Sequence, residues 1–142
     1  MKVLFINGPN LNMLGTREED VYGSLTLDQI NGKILSKANE LKIYTDFFQS
    51  NVEGNLVSKI QESSDFDYIV INPAAFTHTS IAIRDALLSI EAKFIEVHLS
   101  NIYSREDFRH NSYVSSIAIG VISGFGFHGY LMALDYILSL KD

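Results

Sequence analysis

The chain has 142 residues, the length of one domain, and its 46% hydrophobic and 20% charged residues are typical of a folded globular protein. Its net charge of −6 at pH 7 would repel a phosphate backbone, so we expect no nucleic-acid partner. Cysteine is absent, which excludes disulfides, thiolate metal ligands and cysteine nucleophiles. We expect residues 1–142 to form a single domain located in the cytoplasm.

Short apolar runs alternate with helical patterns along the chain. The runs are rich in β-branched and aromatic residues and predict five parallel strands, buried on both faces. The first predicted helix begins at a capping box formed by Thr26 and Gln29, and a later one has Ser80 as its N-cap. In chain order we predict strand 2–6, helix 27–41, strand 43–48, helix 54–62, strand 68–71, helix 80–90, strand 94–97, strand 117–122 and helix 129–140.

Right-handed crossovers turn this alternation into an α/β doubly wound sandwich, with the flavodoxin-like strand order 2-1-3-4-5. Ligands of such sheets bind beyond the carboxyl ends of the strands, near the first and third. The segment after the first strand, 7–24, is much longer than a usual βα loop, which favours a functional role. The polar residues that we place on this edge are Asn10, Arg17, Tyr22, Asn72, His78, His98, Ser100 and Arg109.

Three patterns that could indicate other classes of protein fail on closer reading. The segment 124–129 matches GxGxxG, but residues 130–142 leave no room for the second strand and ribose-binding acid of a dinucleotide fold. The four histidines show none of the usual zinc-binding spacings. The uncharged segment 111–134 is long enough to cross a bilayer, but its serines and glycines favour a buried strand and a helix. We therefore expect no metal, no organic cofactor and no membrane association.

Three segments resemble the motifs of the type II 3-dehydroquinate dehydratases. They are GPNLNMLGTREEDVYG at 8–23, INPAAFTHTS at 71–80 and EVHLSN at 96–101. The resemblance covers nearly the whole chain, although Ala74 stands where many members have glycine, and Tyr103 and Ser104 also depart from the usual pattern. It implies a flavodoxin-like subunit, assembled as a dodecamer of trimers, that converts 3-dehydroquinate to 3-dehydroshikimate in the shikimate pathway without metal or organic cofactor.

The same resemblance implies a role for each matching residue. Tyr22 would remove a proton from C2 of the substrate with the help of Arg17, and His98 would protonate the departing C1 hydroxyl. Glu96 would orient His98, and Asn10 would help to hold a water that stabilises the enolate. The residues implied in substrate binding are Asn72, His78, Leu99, Ser100, Arg109 and, reaching a neighbouring subunit, Asp85.

These roles agree with the chemistry of the side chains. A tyrosine hydroxyl titrates near pH 10 in water, so a tyrosine base needs a nearby positive charge, which Arg17 could supply. A histidine oriented by a carboxylate is suited to proton donation near neutral pH. Two alternatives stay open: a non-catalytic flavodoxin-like module that binds a small cyclic carboxylate, and another cofactor-free lyase or isomerase of polyhydroxylated cyclic acids.

Overall fold

A five-stranded parallel sheet forms the centre of the computed structural model, which describes residues 1–16 and 18–141. The strand order is β2-β1-β3-β4-β5, which confirms the predicted flavodoxin-like arrangement. Every neighbouring pair of strands is parallel. The strands are β1 (Lys2–Asn7), β2 (Tyr44–Gln49), β3 (Tyr68–Asn72), β4 (Phe94–His98) and β5 (Gly120–Ser123).

Helices cover both faces of the sheet and enclose two apolar cores. One core packs α2 (Leu27–Glu40) and α5 (His128–Ser139) against the sheet, and the other packs α3 (Glu53–Gln61) and α4 (Ile81–Ser89) against the opposite face. The side chains of β1 alternate between them, since Val3 and Phe5 belong to the first core and Leu4 and Ile6 to the second. The helices are α1 (Glu19–Tyr22), α2 (Leu27–Glu40), α3 (Glu53–Gln61), α4 (Ile81–Ser89) and α5 (His128–Ser139).

Both predicted helix caps are present. Thr26 Oγ1 accepts a hydrogen bond from the Gln29 N–H at 3.2 Å, and Gln29 Oε1 accepts one from the Thr26 N–H at 3.0 Å. Ser80 Oγ accepts from the Ile83 N–H at 2.9 Å. These side chains satisfy amide groups that have no partner within the helix, so α2 and α4 begin where the sequence predicts.

Two details of the predicted sheet are wrong. The fifth strand was expected over 117–122, but Ser115–Ile117 forms a 3₁₀ turn and β5 begins only at Gly120. The prediction that every strand is buried on both faces is also wrong for the two edge strands, where Tyr44 is 59% and Val121 42% exposed. Their composition resembles that of the inner strands, but the helices do not cover the sheet to its margins. Among the described helices, none has the length and apolar character needed to span a membrane.

The loops that follow β1 and β3 lie against each other at the carboxyl edge of the sheet. The Gly8 N–H donates to the Asn72 carbonyl at 2.8 Å. A Cβ atom at Gly8 would come within 2.3 Å of the Pro73 carbonyl oxygen, so only glycine fits this approach. The close contact fixes the two loops relative to each other beside the site described next.

Candidate active site

A cavity of about 160 Å³ opens at the carboxyl edge of the sheet. Eight of the eleven residues predicted for the site line it, so the structure brings most of that set together. They come from the carboxyl ends of β3 and β4 and from the segments that follow β1, β3 and β4, as parallel strands with this order require. These eight are Asn10, Tyr22, Asn72, His78, His98, Leu99, Ser100 and Arg109.

His98 and Glu96 form a buried pair at the end of β4. Both side chains lie on the same side of the strand, because they are two residues apart. His98 Nε2 donates a hydrogen bond to Glu96 Oε2. Glu96 is fully buried and His98 is 4% exposed. Since His98 lines the cavity and Glu96 does not, the carboxylate lies behind the imidazole.

The second oxygen of Glu96 is held by two serine hydroxyls. Ser115 Oγ donates to Oε1 at 2.6 Å, and Ser112 Oγ donates to the same oxygen at 3.1 Å. Burial raises the pKa of the Glu96 carboxyl, but the hydrogen bonds from His98 and the two serines outweigh burial and hold this pKa below its usual value. Glu96 is therefore ionised at neutral pH.

Tyr22 lies at the end of α1, and its hydroxyl is held by an arginine that the sequence analysis missed. Arg105 Nη1 donates to the Tyr22 hydroxyl oxygen at 2.9 Å and to Ser100 Oγ at 3.3 Å. The guanidinium carbon also lies 5.3 Å from the centre of the Tyr22 ring. A cation that donates to the phenol oxygen stabilises the phenolate form of that side chain.

Arg17, the cation that the sequence predicts for this role, lies outside the described residues. Arg105 could have been suspected from its position alone, because it belongs to the loop that follows β4, between Ser100 and Arg109. No motif singled it out.

His78 and Arg109 occupy another part of the cavity wall. His78 Nδ1 donates to the Asn111 carbonyl oxygen at 2.7 Å, which leaves its Nε2 as the acceptor of the neutral ring. Burial lowers the pKa of His78, so the ring is neutral at pH 7. Arg109 Nε donates to Glu106 Oε2 at 2.9 Å. His78 and Arg109 therefore give this part of the cavity wall a neutral hydrogen-bonding group and a permanent cation.

Asn72 is oriented from behind by a buried network that the sequence analysis also missed. Its Nδ2 donates to the Tyr130 hydroxyl at 3.2 Å, while its Oδ1 accepts from the Ala74 N–H at 3.1 Å. The Tyr130 hydroxyl in turn donates to Asn7 Oδ1 at 2.5 Å. Tyr130 is fully buried, and burial raises its pKa far above the usual value, so it remains a neutral donor. The network links α5 to the ends of β1 and β3.

Three residues of the cavity wall, Asn10, Glu18 and Ala74, have left-handed backbone conformations. Asn10 has φ +69°, and its N–H donates to Asn51 Oδ1 at 2.9 Å. Ala74 has φ +54°. The left-handed region costs an alanine roughly 1 kcal/mol relative to glycine. Glycine at the Ala74 position would adopt this conformation without that cost.

Asp85 is absent from the cavity wall. It lies on the exposed face of α4, beside Ile81 and Leu88, which are 56% and 48% exposed. The spacing of these three residues places them on one helix face.

A larger cleft of about 600 Å³ adjoins the cavity and shares Tyr22, Leu99, Ser100 and Arg105 with it. No cluster of three metal-ligating side chains occurs within residues 1–16 and 18–141.

Comparison with known proteins identifies the family. The family model for class II dehydroquinases matches residues 1–138. The 3-dehydroquinate dehydratase of Endomicrobium trichonymphae is 58% identical over 98% of both chains, and that of Enterobacter sp. (strain 638) is 57% identical over 94% of this chain and 89% of its own. The crystal structure of type II dehydroquinase from Butyrivibrio crossotus DSM 2876 matches with a TM-score of 0.94 at 47% identity, covering 98% of this chain and 97% of the other. The chain described here therefore belongs to the class II dehydroquinase family.

Proposed function

We propose that this chain dehydrates 3-dehydroquinate to 3-dehydroshikimate by an anti elimination through an enolate. The Tyr22 phenolate takes the C2 proton, and the C2–H electron pair moves into the enolate of the C3 ketone. The enolate then re-forms the ketone as C1=C2 forms and the C1–O bond breaks. His98, as imidazolium, gives its proton to the departing hydroxyl, which leaves as water. Two proton transfers thus account for the loss of one water molecule.

Each remaining residue has a place in this proposal. Arg105, together with Arg17, stabilises the Tyr22 phenolate, and Glu96 stabilises the His98 imidazolium. Asn10 supports a water that donates to the enolate oxygen, because charge that develops in the transition state needs donors placed in advance. The substrate hydroxyls and carboxylate bind to Asn72, His78, Leu99, Ser100 and Arg109.

The observation that carries the proposal is the coexistence, in one cavity, of a carboxylate-backed histidine and a tyrosine held by an arginine. A module that only binds a cyclic carboxylate has no need of a fully buried Glu96 behind His98. The family names of the relatives favour dehydration over the other lyase or isomerase reactions that the sequence left open.

An absorbance assay tests the reaction directly. The protein is treated with EDTA, mixed with 3-dehydroquinate and followed in the ultraviolet for the conjugated enone of the product. We expect the absorbance to rise at the same rate with and without the chelator. Folded protein that forms no enone would contradict the proposed function, and a rate restored only by added metal would contradict the cofactor-free mechanism.

Arg105 provides a second test. Arg105→Met should lower kcat about 10- to 100-fold, since a hydrogen bond to a charged group contributes about 1.5–3 kcal/mol. Arg17→Met measured alongside shows how the two arginines share the role. A kcat of Arg105→Met equal to that of the unchanged protein would remove Arg105 from the mechanism.

We further propose that the chain acts in the cytoplasm as a single catalytic domain assembled into a dodecamer of trimers. The exposed face of α4 supports the assembly, because Ile81 and Leu88 there would be buried against a neighbour and would bring Asp85 to that neighbour's cavity. Sedimentation velocity tests the assembly, since a monomer would have a mass of 15.9 kDa.

A further inference from the structure

Ser112 and Ser115 both donate a hydrogen bond to Glu96, but their hydroxyl groups differ in the other hydrogen bonds that they form. Ser112 Oγ donates to Glu96 and also accepts from the N–H groups of Val114 and Ser115, at 3.2 and 3.1 Å, so it shapes the turn. The Ser115 hydroxyl donates to Glu96 Oε1 at 2.6 Å and, among the described residues, forms no other side-chain hydrogen bond. Ser115 can therefore be changed without removing a bond that builds the local backbone.

The segment that carries Ser115 is itself fixed to the neighbouring elements. The Tyr113 N–H donates to the Thr77 carbonyl at 3.0 Å. Arg84 of α4 donates through Nη1 to the Tyr113 carbonyl at 2.7 Å and to Ser116 Oγ at 3.1 Å. The Ser115 hydroxyl is thus presented to Glu96 from a segment anchored on both sides, which suits a positioning role.

The two oxygens of the Glu96 carboxylate have different partners, since Oε2 accepts from His98 and Oε1 accepts from the two serines. An ionised carboxylate only accepts hydrogen bonds, so His98 Nε2 must carry the proton between the two groups. His98 Nδ1 is then the nitrogen left for the substrate. If Glu96 loses a donor, its carboxylate is less stabilised and takes the shared proton more readily, which depletes the imidazolium.

We propose that Ser115 is a positioning residue, which acts through Glu96 to keep His98 able to protonate the departing hydroxyl. The inference rests on the proposed function, because it takes His98 as the acid. It predicts that Ser115 affects the second proton transfer of the reaction and leaves the first unaffected.

The test compares the two proton transfers in Ser115→Ala. Dehydration is measured by enone absorbance, and removal of the C2 proton by NMR of substrate recovered from deuterated water. We expect dehydration to slow roughly 10-fold, the effect of losing one hydrogen bond to a charged group, while the rate of C2 exchange stays unchanged. Ser115→Thr, which restores the hydroxyl, should recover most of the dehydration rate.

Ser116→Ala is the matched control, since Ser116 lies in the same 3₁₀ turn but is exposed and contacts Arg84 instead of Glu96. The substitution leaves in place the hydrogen bond from Arg84 to the Tyr113 carbonyl, which also anchors the segment. It should leave both rates unchanged. A parallel fall of exchange and dehydration in Ser115→Ala would indicate general damage to the fold and would overturn the inference, as would two unchanged rates. If the unchanged protein forms no enone at all, the proposed function fails first, so the two failures are distinguishable.

Discussion

Replacing Tyr22 by phenylalanine should lower kcat about a thousandfold, within the range that a general base contributes, and should abolish exchange of the substrate's C2 proton with solvent. The substitution removes the hydroxyl that accepts from Arg105 and keeps the ring that lies beside the guanidinium. The half-buried position of Tyr22 should therefore remain filled. Enone absorbance and NMR in deuterated water measure the two effects.

Tyr103→Phe is the control for this change. Tyr103 is 62% exposed, lies on the loop after β4 and does not line the cavity, so the same loss of a hydroxyl there should leave both rates intact. C2 exchange that persists in Tyr22→Phe at the rate of the unchanged protein would exclude Tyr22 as the base.

His98→Asn should have an equally large effect on dehydration but a different effect on exchange. Tyr22 and Arg105 are untouched by this substitution, so the C2 proton should still exchange into deuterated water. The C1 hydroxyl lacks its proton donor, so we expect dehydration to fall by about a thousandfold. The variant separates the two halves of the reaction because it removes one of the two proton-transfer groups.

The surface residue His128 provides the comparison for this variant. It is exposed at the start of α5, outside the cavity, and His128→Asn should leave dehydration and exchange unchanged. If Tyr22→Phe exchanges the C2 proton and His98→Asn does not, the roles of the tyrosine and the histidine are reversed. In that case the mechanism proposed above must be abandoned.

The fold could be predicted from the sequence because its signals are local and repeated. Apolar runs separated by helical patterns predicted a parallel sheet, and the side-chain oxygens of Thr26 and Ser80 marked the starts of α2 and α4. The predicted start of the fifth strand was wrong because an apolar run such as Ile117, Ala118 and Ile119 is compatible both with a strand and with a short turn followed by extended chain. Ser112 Oγ accepts hydrogen bonds from the Val114 and Ser115 N–H groups just before the turn, and these bonds have no counterpart in hydrophobicity.

The candidate site also contains residues that the sequence could place and contacts that it could not predict. Residues at strand ends, such as Asn72 and His98, could be placed by topology, because parallel strands present their carboxyl ends at one edge. The contact of Arg105 with Tyr22 joins residues 83 positions apart and depends on the path of two loops. The hydrogen bond between Asn72 and Tyr130 joins residues 58 positions apart and depends on how α5 packs. Neither distance follows from a local pattern.

The network of Asn7, Tyr130 and Asn72 has a consequence for the order of folding. Its members come from β1, β3 and α5, and its longest hydrogen bond in sequence joins residues 123 positions apart. Contacts so distant along the chain form late, after the loop-closure entropy between them has been overcome. During refolding, recovery of enone-forming activity should therefore lag behind the recovery of helical circular dichroism, because the amide of Asn72, which we propose binds the substrate, has no fixed orientation until the last helix has docked.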